Sequence, residues 1–251
     1  MARTLLLFCA MMQQVSLLGL TALMGCAMEV GGPELEPVNT PMPRYDILAI
    51  QGSPTPTPAA LQPDFNIKLR GMGQVLEALE LVDANVPGNL HAPKIDSIFA
   101  DGRVPAMLRL YRVGKAGGLA TGLEGGDPVH VAELTAVPGE PVSAPQSGHG
   151  IGEGMSALVL YADTDSLTLQ YSRVDSVLQD HTVHLIGLDV DEELIELYKS
   201  CVKAGRRELP ALFGGQTVGS AASTLMVSVR DQGRFTDPRW RRFYNQSQGA
   251  Q

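Results

Sequence analysis

Eight prolines stand between residues 33 and 63, at 33, 37, 41, 43, 54, 56, 58 and 63. Each fixes φ and removes a backbone donor, so neither a helix nor a central strand runs easily through such a stretch. The repeat Pro54-Thr55-Pro56-Thr57-Pro58 favours extended chain without a core of its own. Residues 26–63 therefore read as a Pro-rich tether, with Tyr45 to Ile50 as a short apolar exception able to dock. The fold has to come from the remainder, where 44% hydrophobic and 18% charged residues over the whole chain fit one ordinary globular domain with attachments.

Ahead of the tether, Leu5 to Gly25 is almost uncharged and follows a single basic residue, Arg3. This resembles a secretory leader. It ends Leu23-Met24-Gly25-Cys26, which resembles the bacterial lipobox, and the resemblance implies a leader over residues 1–25, cleavage before Cys26 and diacylation of that cysteine. The expectation is an exported chain anchored to the outer face of a bacterial membrane through lipid on Cys26. Cys9 then leaves with the leader and Cys26 becomes a thioether, so Cys201 is the one thiol remaining and no intramolecular disulfide is expected. Loss of Arg3 changes 19 basic residues to 18 against 27 acidic ones, a net charge of −9 in place of −8. Such an acidic chain is not expected to bind nucleic acid, which needs a dominant basic field.

Beyond residue 63 the apolar runs are short. Val104 to Val113 and Val129 to Val137 read as strands around a loop, Gly114 to Gly126, that contains glycines 114, 117, 118, 122, 125 and 126. Gln74 to Leu81 reads as one or two helical turns. Ala157 to Ala162 and Leu167 to Ser172 flank the polar turn Asp163-Thr164-Asp165-Ser166 as a hairpin would, and Thr182 to Val190 reads as a third strand. Leu194, Leu197, Tyr198, Cys201 and Val202 share one helical face, with acidic residues in the first turn and Gly205 at the stop, so one amphipathic helix is expected at about 191–204. A last strand runs from Thr224 to Val229. The expected fold class is mainly β, a sandwich or barrel-like domain with one helix, divided into a β-rich part over 64–137 and a β domain over 138–245.

Three pieces of the last hundred residues carry a family resemblance: Pro141 to Gly148 (PVSAPQSG), Leu209 to Gly219 (LPALFGGQTVG) and Leu225 to Pro238 (LMVSVRDQGRFTDP). Their order is similar to that of the lysostaphin-type zinc endopeptidase domain, the duplicated hybrid motif fold, over roughly residues 138–242. The resemblance implies a His-x-His zinc pair on the closing strand, where both side chains reach one metal from the same face. This chain has Thr224 and Met226 there, and no His-x(3)-Asp pair is found to complete a site. The domain thus resembles a degenerate, metal-free relative, and catalysis is not the leading expectation. The stretches Asp64 to Gly71, Ile98 to Arg103 and Tyr171 to Leu185 also resemble a group of uncharacterised bacterial lipoproteins, which supplies no activity.

Other reactive constellations are weak. His181 and His184, three apart on one strand, face opposite sides. Ser156 lacks the closing glycine of a nucleophile elbow. Gly148 to Gly154 (GHGIGEG) has no Walker lysine and reads as a connection. Asp163/Asp165 and Asp189/Asp191 lack a twelve-residue calcium loop and read as a hairpin turn and a helix N-terminus. Cys201, on the apolar stripe, reads as core. No cofactor or metal is expected.

The remaining candidate is the C-terminal cluster Arg230, Arg234, Arg239, Trp240 and Arg241, with Arg242, Phe235, Phe243 and Tyr244 interleaved. It is either a cationic, aromatic surface for sugars or anionic polymers, or a docked segment whose arginines pair with the acidic body. Together these features favour a non-catalytic binding or scaffold module at the cell envelope, with cell-wall polymer or an envelope protein as partner. The alternative is a wall hydrolase or metallopeptidase with ligands not evident in the sequence.

Overall fold

The apolar runs pair into one antiparallel sheet. A computed structural model describes residues 44–84 and 91–245 of the chain. Its strands are β1 (Asp46–Ala49), β2 (Met72–Val75), β3 (Met107–Val113), β4 (Val131–Thr135), β5 (Pro141–Ser143), β6 (Ala157–Ala162), β7 (Ser166–Gln170), β8 (His181–Val190), β9 (Glu208–Leu212), β10 (Thr217–Asp231) and β11 (Arg234–Thr236), with one α-helix, α1 (Glu192–Lys203), between β8 and β9. The sheet order is β1-β9-β6-β7-β8-β10-β4-β3-β2, with β5 and β11 also pairing with β10, and the sheet does not close into a barrel. A mainly β fold with one amphipathic helix is what the hydrophobic pattern predicts.

Strand β10 organises this sheet. One of its sides pairs with β8 along most of its length, from Gly219↔Val190 to Asp231↔His181. Its other side meets β5, β4 and β11 in succession. Between Ala221 and Met226 the register with β8 shifts, because β10 bulges opposite Gly187. Gly187 has φ +90°, and a Cβ there would lie 2.9 Å from the Thr224 carbonyl oxygen, so the bulge requires glycine. The expected parts 64–137 and 138–245 are joined through this strand, since β2, β3 and β4 of the first continue the sheet of the second.

The helix forms where its signals are. Asp191 caps it by accepting from the Glu193 amide at 3.0 Å, and Glu192, Glu193 and Lys203 sit at the ends their charges favour. It stops in a Schellman arrangement, with Arg206 N donating to Cys201 O and Gly205 N to Val202 O, Gly205 supplying φ +95°. Leu194, Ile195, Tyr198 and Cys201 are buried, whereas Val202 is 36% exposed, so the buried stripe is rotated towards Ile195. The stripe packs on β6 and β9, and Tyr198 Oη donates to the Leu160 carbonyl. Every residue of β6 and β7 is buried; β6 is a continuous apolar run, whereas β7 alternates and buries Ser166, Thr168 and Gln170 with hydrogen bonds to Asp163, the Phe65 carbonyl and Thr182.

The chain expected as a tether is packed from residue 44 onward. β1 pairs with β9, Ile50 N donates to Arg207 O, and Thr55 N donates to the Asp175 carboxylate. Tyr45, Leu48 and Ala59 are buried. The prolines permit this because β1 is an edge strand lying between Pro43 and Pro54, where few donors are needed. The expected helical turns at Gln74 to Leu81 are instead β2, held by Met72↔Val113 to Val75↔Leu110, followed by irregular chain. Cys26, the leader and the first part of the tether lie outside the described residues. Among the described residues no helix is long and apolar enough to cross a membrane.

Candidate functional site

The C-terminal arginines sort by what the hairpin β10–β11 does with them. The strands reverse at Gln232 and Gly233, both at positive φ (+47° and +81°), the conformation of a type I′ turn. Arg230 lies opposite Phe235 and stacks its guanidinium 4.5 Å from the ring centroid, while Nε and Nη2 donate to Gly233 O at 3.0 and 2.6 Å. Pro238 ends the strand, and the chain turns back on a buried pair in which Arg239 grips Asp237 through Nε–Oδ1 (3.0 Å) and Nη2–Oδ2 (2.7 Å).

Phe235 is the hub beneath the site. Arg70 brings a second guanidinium to within 5.6 Å of its centroid, His130 stacks on it at 5.2 Å, and His184 lies at 6.4 Å. Asp64 ties the arginines together, with Oδ1 accepting from Arg70 Nη2 at 2.6 Å and from Arg230 Nη1 at 2.9 Å. Burial opposes the ionisation of Asp64, but Arg230 and Arg70 outweigh it and hold the carboxyl below its ordinary pKa. Arg70 also donates to Glu124 at 2.8 Å, drawing the glycine-rich loop over the hairpin. Asp127, further along that loop, accepts the Asp237 amide at 3.1 Å.

These residues surround a half-open cleft of about 1120 Å³. Its lining includes Asp64, Arg70, Glu124, Asp127, Arg230, Asp231, Arg234, Phe235, Trp240 and Arg242. Of the arginines and tryptophan read from the sequence, Arg230, Arg234 and Trp240 meet here. Arg239 and Arg241 do not line it. Arg239 is buried against Asp237 and the Ala78 carbonyl, and Arg241 turns outward to Asp83 at 3.3 Å. Both also join the backbone of Val82, so they fasten the 78–83 segment. Arg242 takes their place, its guanidinium 4.3 Å from the Trp240 centroid and 3.5 Å from Asp231. Asp64, Arg70 and Glu124 are missed by local reading because they lie more than a hundred residues from the hairpin in sequence. The run of glycines before Asp127 was their nearest visible signal.

The other singled-out groups have structural partners. Asp163 and Asp165 both pair with Lys68, at 2.9 Å for Asp163, and Asp163 Oδ1 accepts from the Ser166 amide and hydroxyl. Asp191 caps α1 and pairs with Arg44. His181 and His184 are both buried; His184 Nδ1 meets Thr168 Oγ1 at 3.0 Å, and His181 packs edge-on to Phe243. His149 is exposed with its ring 5.6 Å from His91. Burial pushes the Cys201 thiol up, away from reactivity. Thr224 and Met226 stand opposite Thr135 and Glu133, and Met226 packs beside Ile67, Val113, Val131 and Phe235. Among the described residues no three His, Cys, Asp or Glu side chains are grouped to hold a metal.

Comparison of the sequence with models of known protein families gives no match, and comparison with curated proteins gives none.

Proposed function

We propose that this protein is an exported lipoprotein, anchored to the outer face of a bacterial membrane through acylated Cys26, whose β domain is a non-catalytic binding module for cell-wall polymer. The observation that carries the binding role is the cleft itself. It has the volume of a ligand site, and it combines a half-buried tryptophan with arginines and carboxylates able to hydrogen-bond a polar ligand. The lipobox-like Leu23-Met24-Gly25-Cys26 supports export and anchoring. The resemblance of residues 138–242 to a wall peptidase without its zinc histidines favours retention of a wall-facing groove over hydrolysis, as does the packing of Met226 among apolar side chains.

The test is retention of the purified protein on isolated cell wall. Trp240→Ala and Arg234→Ala are expected to reduce retention several-fold, and added salt to reduce it further. Retention that is unchanged in both variants removes the cleft from the interaction.

A further inference from the structure

The cleft holds four acidic residues, Asp64, Glu124, Asp127 and Asp231, and four arginines, 70, 230, 234 and 242. That balance disfavours a polyanion and a polycation alike. Most of these charges are already satisfied. Asp64, Glu124, Arg70 and Arg230 form one network, and Arg242 faces Asp231. Two are not. Arg234 is exposed and forms no ion pair with any described residue. The Asp127 carboxylate accepts the Asp237 amide and has no cation within ion-pair distance among the described residues, Arg242 acting on it only at longer range. Burial and the adjacent Asp237 charge push the Asp127 carboxyl up, as expected of an anion short of a counter-ion.

The two groups stand along one wall. Both line the cleft, and Asp127 is hydrogen-bonded to the amide of Asp237, whose backbone lies three residues, about 10 Å at the rise of a strand, from that of Arg234 at the far end of β11. Between Asp127 and Glu124 the wall is Gly125 and Gly126. A Cβ at Gly125 would meet nothing within 4 Å, and one at Gly126 only the Phe235 carbonyl at 3.9 Å, so backbone is all that faces the cleft there.

We propose that the cleft binds a short zwitterionic peptide end to end, its ammonium on Asp127 and its carboxylate on Arg234, with the chain lying over Gly125 and Gly126. An extended tripeptide spans about 10 Å, the same order as the backbone spacing of residues 234 and 237. The proposal rests on the cleft being the ligand site and specifies the wall component as peptide with free ends.

Isothermal titration of the full-length protein with Ala-Ala-Ala, N-acetyl-Ala-Ala-Ala and Ala-Ala-Ala-amide tests it. Blocking either end is expected to weaken binding at least tenfold. Asp127→Asn should abolish the penalty for acetylation, Arg234→Gln should abolish the penalty for amidation, and Arg234→Lys should restore the latter. Equal binding of the free and blocked peptides overturns the proposal. So does failure of all three peptides to bind while the protein is still retained on cell wall, a result that leaves the wall-binding reading intact. Peptide binding with both end preferences, but without wall retention, upholds this proposal and removes that reading. Melting temperatures of the variants within a few degrees of the parent separate lost recognition from lost folding.

Discussion

Arg206 grips Asp175 in the interior through two parallel contacts, Nε to Oδ2 at 3.0 Å and Nη2 to Oδ1 at 2.5 Å, with side chains only 6% and 0% exposed. The pair joins the end of α1 to the 173–179 loop, and Asp175 also receives the Thr55 amide. Arg206 donates further to Leu160 O and to Tyr198 Oη. A buried pair contributes little net stability over apolar side chains, but a charge left alone in that setting is costly. Asp175→Ala is expected to lower unfolding free energy by about 3–5 kcal/mol. The double variant Asp175→Leu with Arg206→Met should recover part of the loss. Urea midpoints at constant m-value provide the check; a double variant no more stable than the single one contradicts the argument.

Acid should destabilise the protein well before its carboxylates titrate. Burial, aided by Arg112, lowers the His130 pKa from 6.5 to about 4, and burial takes His184 well below its ordinary value. The unfolded chain therefore takes up these protons first. The contribution of neutral His130 is complete above about pH 6.5 and is lost as pH falls towards 4, on the order of 3 kcal/mol at about 1.4 kcal/mol per pH unit. His130→Asn keeps an acceptor for the Val113 amide, which donates to Nδ1 at 3.2 Å, but does not titrate. Stability measured by urea denaturation at pH 7 and pH 4.5 should differ less in this variant, and least when His184→Asn is added. An unchanged pH slope would show that these rings do not set it.

Gly219 lies where β8 and β10 leave no room for a side chain. A Cβ there would lie 2.2 Å from the Asp189 carbonyl oxygen, a backbone atom that cannot rotate away. Gly219→Ala should therefore destabilise by more than about 2 kcal/mol, whereas Gly139→Ala, with nothing within 4 Å, should lose only the cost of its positive φ. Thermal melts of the two variants rank the effects, and a smaller loss at 219 than at 139 contradicts the packing argument.

Asp64 should matter to stability as well as to the cleft. Removing it leaves Arg70 and Arg230, with side chains 6% and 5% exposed, without their shared carboxylate. The carboxylate itself is 40% exposed, so solvent screening limits the effect of Asp64→Ala to about 1–3 kcal/mol. The melting temperature of this variant should become less sensitive to salt, and an unaltered salt response would show that the pairs contribute nothing.

How far the fold was legible depended on how local its causes are. Strands β6 and β7 were readable because the turn that joins them carries its own chemistry, Asp163 bonding to Ser166. Helix α1 was readable because capping and stripe lie within one segment. Strands β1, β2 and β9 are short, and distant partners define them: Asp46 meets Ala211, and Met72 meets Val113. The apolar stretch Tyr45 to Ile50 could be read as able to dock, but the prolines of 54–63 gave no sign that Thr55 and Ala59 would pack on the domain as well. The site followed the same rule. Arg230, Arg234 and Trp240 were visible as a cluster, whereas Asp64 and Asp127 enter it only through the folded sheet. Composition could not separate Arg239, which fastens a neighbouring segment, from Arg234, which faces solvent.

Strand β10 places the seam of the whole sheet within residues 217–231. During synthesis, β2 to β9 have emerged before the strand that joins β8 to β4 exists, and their exposed edges must wait for it. A chain ending before residue 217 would therefore lose more than its cleft. It would be left with two unjoined partial sheets, each presenting an open edge to its neighbours, which is the setting in which strands pair between molecules.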